Sequence, residues 1–267
     1  MDRNTSSMEL KDYVISENKA VVRNDPVVLA LMRKQLNARQ YKLYAAQRAS
    51  VATNFVRLVV KAAAGARAIG DKALAKALEA NEADELGRDE HGIEHAERNH
   101  RNWKLAYLCA LNLNVERPDF PLLPSTRAHS DAFLELEASA GVLRMAGALL
   151  SLENIIPLEY RAAIRSRDHL FPQLFCIDDG DGPDTRRRKM AARQYLDDHV
   201  VHDASEHFPQ LLQALEKYQD NPASMGEIRA GIDFVNRHRK NFYEGLAEAL
   251  TYDDARGEYF TYGAMAA

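Results

Sequence analysis

Apolar residues recur at helical spacing along nearly all of this 267-residue chain, and that periodicity limits the possible folds more than any other feature. From Pro26 onward, large apolar side chains follow one another at intervals of three, four and seven positions. No segment alternates apolar and polar residues with the period of two that a half-buried strand requires. Because helical faces of this kind must be buried against one another, the sequence predicts one all-α domain, a bundle of about seven helices.

Prolines, glycines and aspartates divide the helical pattern into segments. Three prolines within 118–124 and the acidic stretch 178–183 predict loops. The acidic stretch does not fit a calcium loop, because Lys189 stands where an EF-hand needs its closing glutamate. The helices are expected at 26–70 (a pair), 71–113 (kinked at Gly87 or Gly92), 125–150, around 153 (kinked at Pro157), 185–218 and 222–250. Residues 1–25 are expected to form an N-terminal arm, and 252–267 a C-terminal tail that docks on the domain.

Composition excludes several classes of protein. The net charge of −4 gives no electrostatic footprint for nucleic acid. The only two cysteines, Cys109 and Cys176, exclude a disulfide framework and a cysteine-rich zinc site. No apolar run reaches the ~20 residues that span a bilayer, and no signal core follows the N-terminus. The sequence therefore predicts a cytoplasmic protein with a small-molecule substrate and no nucleic-acid or membrane partner. A homodimer is left open.

Six of the nine histidines fall in two short windows, residues 91–100 and 199–207, and both windows are expected to be helical. In the second window, successive members of the set His199, Asp203 and His207 differ by about 40° around a helix, so they share one stripe. Glu206 also lies in that stripe, whereas His202 points about 60° away from His199. Three potential ligands on one stripe favour metal binding over a solvated surface face.

In the first window, His100 opens a run whose apolar face points toward the core. A buried histidine needs a polar partner. Glu90 is the preferred partner, because a kink at Gly92 would bring the two groups together, and Glu97 and Glu85 are the alternatives.

A single carboxylate, Glu153, interrupts an otherwise apolar segment. Burying such a group without a partner is costly. Arg144 or Arg161 could neutralise it, but metal ligation accounts for it better once the histidine windows are considered. Imidazoles and carboxylates from separate helices are how an all-helical protein binds a first-row transition metal. The expected ligands are Glu90, His100, Glu153, His199, Asp203 and His207.

Two known metal patterns fit less well. Residues 91–95 spell H-x-x-E-H, an inverted zinc-protease motif, but that motif expects a strand to align the substrate and none is predicted. A ferritin-like diiron bundle needs two Glu-x-x-His motifs on different helices, and residues 97–100 supply the only one.

The order and spacing of these groups resemble the haem-oxygenase-like diiron oxidases and oxygenases. In that family a Glu and a His come from one helical region around E-x-G, a lone Glu comes from a central helix, and a later helix supplies H-x-x-x-D-x-x-H. The matching positions, within residues 25–250, are Glu90-His91-Gly92 with His100, then Glu153 followed by Pro157, then His199 with Asp203.

The resemblance implies a haem-oxygenase-like bundle, two iron ions, O₂ as co-substrate and a small aliphatic substrate, an amino acid or a fatty acid. The implied reactions are desaturation, hydroxylation or oxidative C–C cleavage in a biosynthetic pathway. A carboxylate substrate would need a cation, and the early helices offer Arg33, Arg39, Arg48 and Arg57.

The sequence departs from the family pattern at the last histidine. The family places it at position 206, which here is Glu206, and His207 follows. A one-residue π-bulge would restore His207 to the site; otherwise Glu206 ligates or the second iron is weakly held. Members that hydroxylate nitrogen add a carboxylate from an earlier helix. Residues 27–70 contain no Asp or Glu, which disfavours N-oxygenation.

Two other functions compete with a diiron enzyme. One is a metal-free enzyme of the same fold, similar to thiaminase II or to the enzymes that form pyrroloquinoline quinone. A thiaminase-type site needs a nucleophilic cysteine, whereas the apolar run around Cys109 favours a structural role for it. The other is a non-catalytic helical binding protein.

Overall fold

The computed structural model describes residues 9–89, 91–114 and 120–256, the last five of these as backbone only. These residues contain no strand, so the prediction of a single all-α domain is confirmed. The α-helices are α1 (Leu10–Arg23), α2 (Pro26–Met32), α3 (Ala38–Ala68), α4 (Lys72–Leu86), α5 (His100–Ala110), α6 (Pro124–Ser139), α7 (Val142–Leu170), α8 (Pro172–Phe175), α9 (Pro183–His202), α10 (Phe208–Glu216) and α11 (Pro222–Arg256). A π-helical segment, Asp203–His207, joins α9 to α10.

The helices are more numerous than the seven predicted because local capping divides the longer expected segments. Asn37 and Gln40 form a reciprocal capping box that starts α3 separately from α2. The residues before Val142 are extended and separate α6 from α7, so one helix does not run to residue 150. The expected N-terminal arm contains α1, whose Leu10 and Val14 are buried.

The first histidine window is not helical, which corrects the sequence-based prediction. Gly87 ends α4 in the left-handed region at φ +67°, and an added Cβ there would meet the backbone of Asn99. The Asp89 carboxylate then accepts hydrogen bonds from the backbone N–H groups of His91 and Ile93, both at 2.9 Å. The chain becomes helical again only at α5, where Asn99 accepts a hydrogen bond from the Arg101 backbone N–H.

Helix α7 lies at the centre of the domain and packs against α1, α2, α3, α9 and α11. It crosses α11 at close range, because a Cβ at Gly147 would lie 2.1 Å from the Ile228 carbonyl oxygen. At Gly231 on α11, the corresponding distance to the Arg144 carbonyl oxygen would be 2.0 Å. Pro157 lies within α7 without ending it. This central position buries two glutamates of α7, Glu153 and Glu159.

The remaining segments fit the expected order with shifted boundaries. The acidic stretch 178–183 precedes α9, and Lys189 pairs there with Asp181 at 2.8 Å, as suits a loop without calcium. Helix α11 continues to Arg256, past the expected end at residue 250, and residues 257–267 of the expected tail lie outside the described residues. None of the described helices combines the length and apolarity needed to cross a membrane.

Candidate metal centre

Two buried groups of three potential metal ligands lie where α4, α5, α7, α9 and the π-helical segment meet. The first triad is Glu85 on α4, His100 on α5 and His199 on α9. The second triad is Glu153 on α7 with Asp203 and His207 of the π-helical segment. Within each triad, one ligand atom per residue lies within 4.8 Å of the other two.

In the first triad, Glu85 lies between the two imidazoles. Its Oε1 is 3.1 Å from His100 Nδ1 and 3.7 Å from His199 Nε2. The Nδ1 of His199 donates a hydrogen bond to the Tyr195 carbonyl oxygen at 2.7 Å. That bond fixes the neutral tautomer whose Nε2 has a free lone pair, the form in which histidine binds a metal.

In the second triad, His207 Nδ1 lies 3.7 Å from Glu153 Oε2 and 3.8 Å from Asp203 Oδ1. The Asn81 amide donates a hydrogen bond to the other carboxylate oxygen of Glu153. Neither arginine considered from the sequence neutralises Glu153. Arg144 pairs with Glu227 on the surface and Arg161 is exposed.

Two partly buried carboxylates that the sequence-based set did not include lie beside the triads, and one of them, Asp84, contacts both. Asp84 Oδ2 lies 3.4 Å from His207 Nε2 and 3.9 Å from His100 Nε2. Asp198 Oδ2 lies 3.4 Å from His100 Nε2. A signal for Asp84 exists in α4, because residues 81, 84 and 85 continue the buried face of Leu74 and Leu78 at helical spacing.

Several carboxylates lie close together in this buried cluster, so their negative charges must be balanced by protons or by a cation. Burial, and then the charge of Glu153, raise the pKa of Asp203 well above its usual range. Burial alone would lower the pKa of His100, but Glu85, Asp198 and Asp84 together raise it to about 10. The same burial would raise the pKa of Glu85, but the neighbouring histidines lower it well below its usual range. Protons thus balance carboxylates that crowd one another.

Unsatisfied hydrogen-bonding atoms mark the same place. Six buried polar atoms of this cluster have no hydrogen-bond partner in the described part of the chain: Asn81 Oδ1, Asp84 Oδ2, both ring nitrogens of His100, Glu153 Oε2 and Asp198 Oδ2. Such groups are costly unless something binds them. Imidazole nitrogen with carboxylate oxygen is a donor set that suits iron and other first-row metals. The residues present therefore fit a pair of transition-metal ions.

Five of the six expected ligands come together here. They are His100, Glu153, His199, Asp203 and His207, and all are buried. The sixth, Glu90, lies outside the described residues. Of its two alternatives, Glu85 is buried beside His100, whereas Glu97 is exposed.

The predicted helical irregularity is present in the second window. The π-helical segment Asp203–His207 contains the extra residue and directs Asp203 and His207 into the core. Glu206 is exposed. The structure therefore places His207, and not Glu206, in the second triad.

Asp84 also bears on the type of oxygenation. The lack of acidic residues in 27–70 disfavoured a further carboxylate from an earlier helix. Asp84 is a further carboxylate close to histidines of both triads, but it lies on α4, the helix that also carries Glu85, and not on an earlier helix. Helices α2 and α3 still offer no carboxylate, so the argument against N-oxygenation stays a prediction.

A cavity of about 530 Å³ borders the first triad. Its deep wall includes Glu85, His100, His199, Arg48 and Arg239, all buried, while its mouth carries exposed residues such as Arg57 and Arg101. Most of the remaining lining is apolar: Val51, Ala52, Phe55, Val56, Leu86, Leu105, Phe133, Leu152 and Ile156. Of the four arginines considered as carboxylate partners, Arg48 and Arg57 line this cavity, and Arg33 and Arg39 do not.

Comparison with known proteins agrees with this architecture. The model of a family described as iron-containing redox enzymes matches residues 42–240. The fold is similar to that of a CADD-like protein of unknown function from Nostoc punctiforme, with 18% identity, a TM-score of 0.63, and coverage of 89% of this chain and 96% of that one. It is also similar to a TenA homologue from Pseudomonas syringae pv. tomato, with 16% identity, a TM-score of 0.65, and coverage of 93% and 99%. No curated protein matches the chain.

Proposed function

The chain belongs to the family of iron-containing redox enzymes, and from that premise we propose that it is a non-haem diiron oxidase or oxygenase that uses O₂. One observation carries the proposal. Two adjacent buried triads of histidine and carboxylate retain hydrogen-bonding atoms that no group of the described residues satisfies. A surface cluster of the same residues would be solvated and would need no metal.

The proposed ligands of the first iron are Glu85, His100 and His199, with Glu85 in the role that the sequence assigned to Glu90. Those of the second are Glu153, Asp203 and His207. Two iron ions bound here would supply the electrons that the reduction of O₂ demands.

The surrounding groups hold these ligands in orientation. The Tyr195 carbonyl fixes the His199 ring, and the Asn81 amide fixes the carboxylate of Glu153. A molecule bound in the cavity would lie directly beside the first triad, because Glu85, His100 and His199 all contribute to the cavity wall. The apolar residues of the other walls would exclude water from it.

We propose a small aliphatic substrate and desaturation, hydroxylation or oxidative C–C cleavage as the reaction, within a biosynthetic pathway. The proposed setting is the cytoplasm, whose reducing conditions suit the two free thiols, Cys109 and Cys176.

The fold shared with a TenA homologue keeps a metal-free enzyme as the alternative. A thiaminase-type mechanism needs a cysteine at the substrate. Neither cysteine lines the cavity, and Cys109 is exposed on α5 instead of packed in the core as the sequence suggested.

Iron binding tests the proposal. The purified protein, His199→Ala and His202→Ala are loaded anaerobically with Fe(II), and iron content and the absorbance change on adding O₂ are measured. We expect two irons per chain in the unchanged protein, and the loss of one iron and of the O₂ response in His199→Ala. His202 is half-exposed, 3.8 Å from Asp198, and serves as the matched control that retains both.

Equal iron content in the unchanged protein and His199→Ala would refute the diiron assignment. An unchanged protein that binds no iron would leave the metal-free enzyme or the non-catalytic binding protein.

A further inference from the structure

A second buried polar cluster lies in the wall of the same cavity, and its charge is unbalanced. This arginine cluster consists of Arg48 on α3, Glu159 on α7 and Arg239 on α11, each at most 4% exposed. Arg239 binds Glu159 through both carboxylate oxygens, at 2.8 and 2.5 Å. Arg48 Nη2 is only an ion-pair neighbour of the same carboxylate, at 3.5 Å. Two guanidinium groups thus share one carboxylate.

Arg48 lacks the hydrogen bonds that a buried guanidinium needs. Its Nε and Nη2 are buried, and no described residue accepts a hydrogen bond from either of them. The Tyr160 ring lies 5.0 Å from its guanidinium carbon, but the Tyr160 hydroxyl is hydrogen-bonded with that of Tyr195 and carries no charge at neutral pH. Within the described part of the chain, no carboxylate other than Glu159 lies within ion-pair distance of Arg48. An uncompensated buried charge is costly, so the site is built to receive an anion.

The rest of the cavity lining indicates the chemistry of the molecule that carries the anionic group. Apart from the arginine cluster and the first triad, most of its lining is apolar. Among the residues that the structure describes, the one acidic residue of the lining is Glu85, which is engaged with His100 and His199. The described lining therefore offers no free carboxylate to pair with the ammonium group of an amino acid. Arg57, Arg101 and Lys104 make the remaining charged lining positive as well.

From this arrangement we infer that the substrate is an apolar monocarboxylic acid whose carboxylate binds the guanidinium of Arg48. Its hydrocarbon body lies along the apolar lining with one carbon beside the first triad, and it carries no ammonium group. The inference rests on the proposed function, because it takes the cavity beside the first triad as the substrate site. It selects an aliphatic or aryl-aliphatic acid over an amino acid.

Binding to the metal-free protein tests the carboxylate contact without any turnover. Butanoate, octanoate and 3-phenylpropanoate are titrated by calorimetry, each beside its neutral amide, and 2-aminooctanoate is included as the amino-acid analogue. Charge-assisted hydrogen bonds are about twice as strong as neutral ones. We therefore expect at least one acid to bind at least ten times more tightly than its amide, and octanoate to bind more tightly than 2-aminooctanoate.

Substitution of Arg48 locates the contact. Arg48→Met should weaken binding of the preferred acid at least ten-fold and leave binding of its amide unchanged. Arg57→Met is the matched control: Arg57 lines the same cavity but is exposed and already pairs with Glu137 at 3.0 Å, so the affinity should change less than three-fold.

Stability of the ligand-free protein provides a second readout that does not depend on the choice of acid. If the charge of Arg48 is uncompensated, Arg48→Met raises the urea midpoint of unfolding, whereas Arg239→Met, which removes the direct partner of Glu159, lowers it. A lower midpoint for Arg48→Met would refute the charge argument.

The inference is wrong if no acid binds more tightly than its amide, or if Arg57→Met loses the binding and Arg48→Met retains it. It is also wrong if acids bind only to the iron-loaded protein and with equal affinity in Arg48→Met. Acid binding through Arg48 without iron uptake would keep this inference and end the oxidase proposal. Oxygen consumption that is triggered by 2-aminooctanoate and by none of the acids would support the oxidase proposal and refute this inference.

Discussion

The two buried polar clusters of this protein have opposite charge imbalances although one helix contributes a glutamate to each. Glu153 and Glu159 lie six residues apart on α7, so they point to different sides of it. Glu153 meets His207 and other carboxylates, a set with an excess of negative charge. Glu159 meets two guanidinium groups, a set with an excess of positive charge. The first cluster is suited to a cation and the second to an anion.

This difference shows how much the sequence around a glutamate in an apolar helix can predict about its environment. Its apolar neighbours indicate that it is buried, and burial indicates that it needs a partner. The kind of partner depends on which neighbouring helix faces it, and the chain around the glutamate does not determine that.

The largest expected effect comes from removing the negative charge in each cluster. Glu159→Gln leaves two buried guanidinium groups without a counterion, so the free energy of unfolding should fall by about 3–5 kcal/mol. Glu153→Gln relieves repulsion among carboxylates in the metal-free protein, so its stability should be unchanged or higher. Urea unfolding of both variants without metal measures this. Equal losses would mean that the two clusters do not differ in charge balance.

The second expected effect concerns the second triad alone. His207→Ala should weaken binding of the second iron at least 100-fold, about 2.7 kcal/mol, whereas Glu206→Ala should bind both irons normally, because Glu206 is exposed. Anaerobic Fe(II) titration of the two variants measures the difference. Loss of the second iron in Glu206→Ala, with retention in His207→Ala, would mean that Glu206 and not His207 is the ligand.

Histidines near the two clusters should respond to pH in opposite directions. The pKa of His100 is raised to about 10 in the folded metal-free protein. Its stabilising contribution is therefore complete below the unfolded value of about 6.5 and is lost as the pH rises toward 10. The pKa of His129, in the cavity wall, is lowered to about 3, chiefly by burial and then by Arg239. Its folded form resists protonation, so it reduces stability as the pH falls from 6.5 toward 3.

Each of these contributions is at most about 1.4 kcal/mol per pH unit. The urea midpoint of unfolding is measured from pH 4 to pH 9. In His100→Asn it should no longer fall at alkaline pH, and in His129→Asn it should fall less at acidic pH. Identical profiles in both variants would contradict the assignment. Iron should bind more tightly at higher pH, because its binding displaces protons from His100.

The smallest expected effect provides a surface reference. Arg57 pairs with Glu137 through two hydrogen bonds, at 3.0 and 3.2 Å, but its side chain is 55% exposed. Arg57→Met should therefore lower the free energy of unfolding by about 0.2–1 kcal/mol in urea denaturation. A loss as large as that of Glu159→Gln would show that burial is not what separates the two arginine pairs.

Helical periodicity was sufficient to predict the all-α class. His199, Asp203 and His207 followed from a shared helical stripe, whereas His100 and Glu153 followed from their apolar surroundings. The first window shows the limit of that method. A dense run of His and Glu has the composition of a polar helix, but Gly87 and the Asp89 carboxylate satisfy the backbone in another way. Glu85 therefore reaches His100 from the preceding helix, across a loop whose course no periodicity specifies.

The arginine cluster was beyond sequence analysis for a related reason. Arg48, Glu159 and Arg239 are separated by 111 and 80 positions and come from three helices. Each residue alone resembles a charge on a partly exposed helix. Only the close crossing of α7 and α11, at glycines that allow backbone contact, brings Glu159 and Arg239 into one buried pair.

The π-helical segment keeps two separate patterns in phase. In an uninterrupted α-helix, the buried residues of α10 (Phe208, Leu211, Leu212, Leu215) would face about 160° away from those of α9 (Ala192, Tyr195, Leu196, His199). One extra residue absorbs about 100° of that rotation, so both sets lie on one side of the chain. The same correction directs His207 inward. Deleting one exposed residue, Ala204 or Ser205, would therefore restore a regular helix and keep both His207 and the buried face of α10 directed toward the core. Deleting one residue within α10 would instead rotate the buried face of α10 and leave His207 in place.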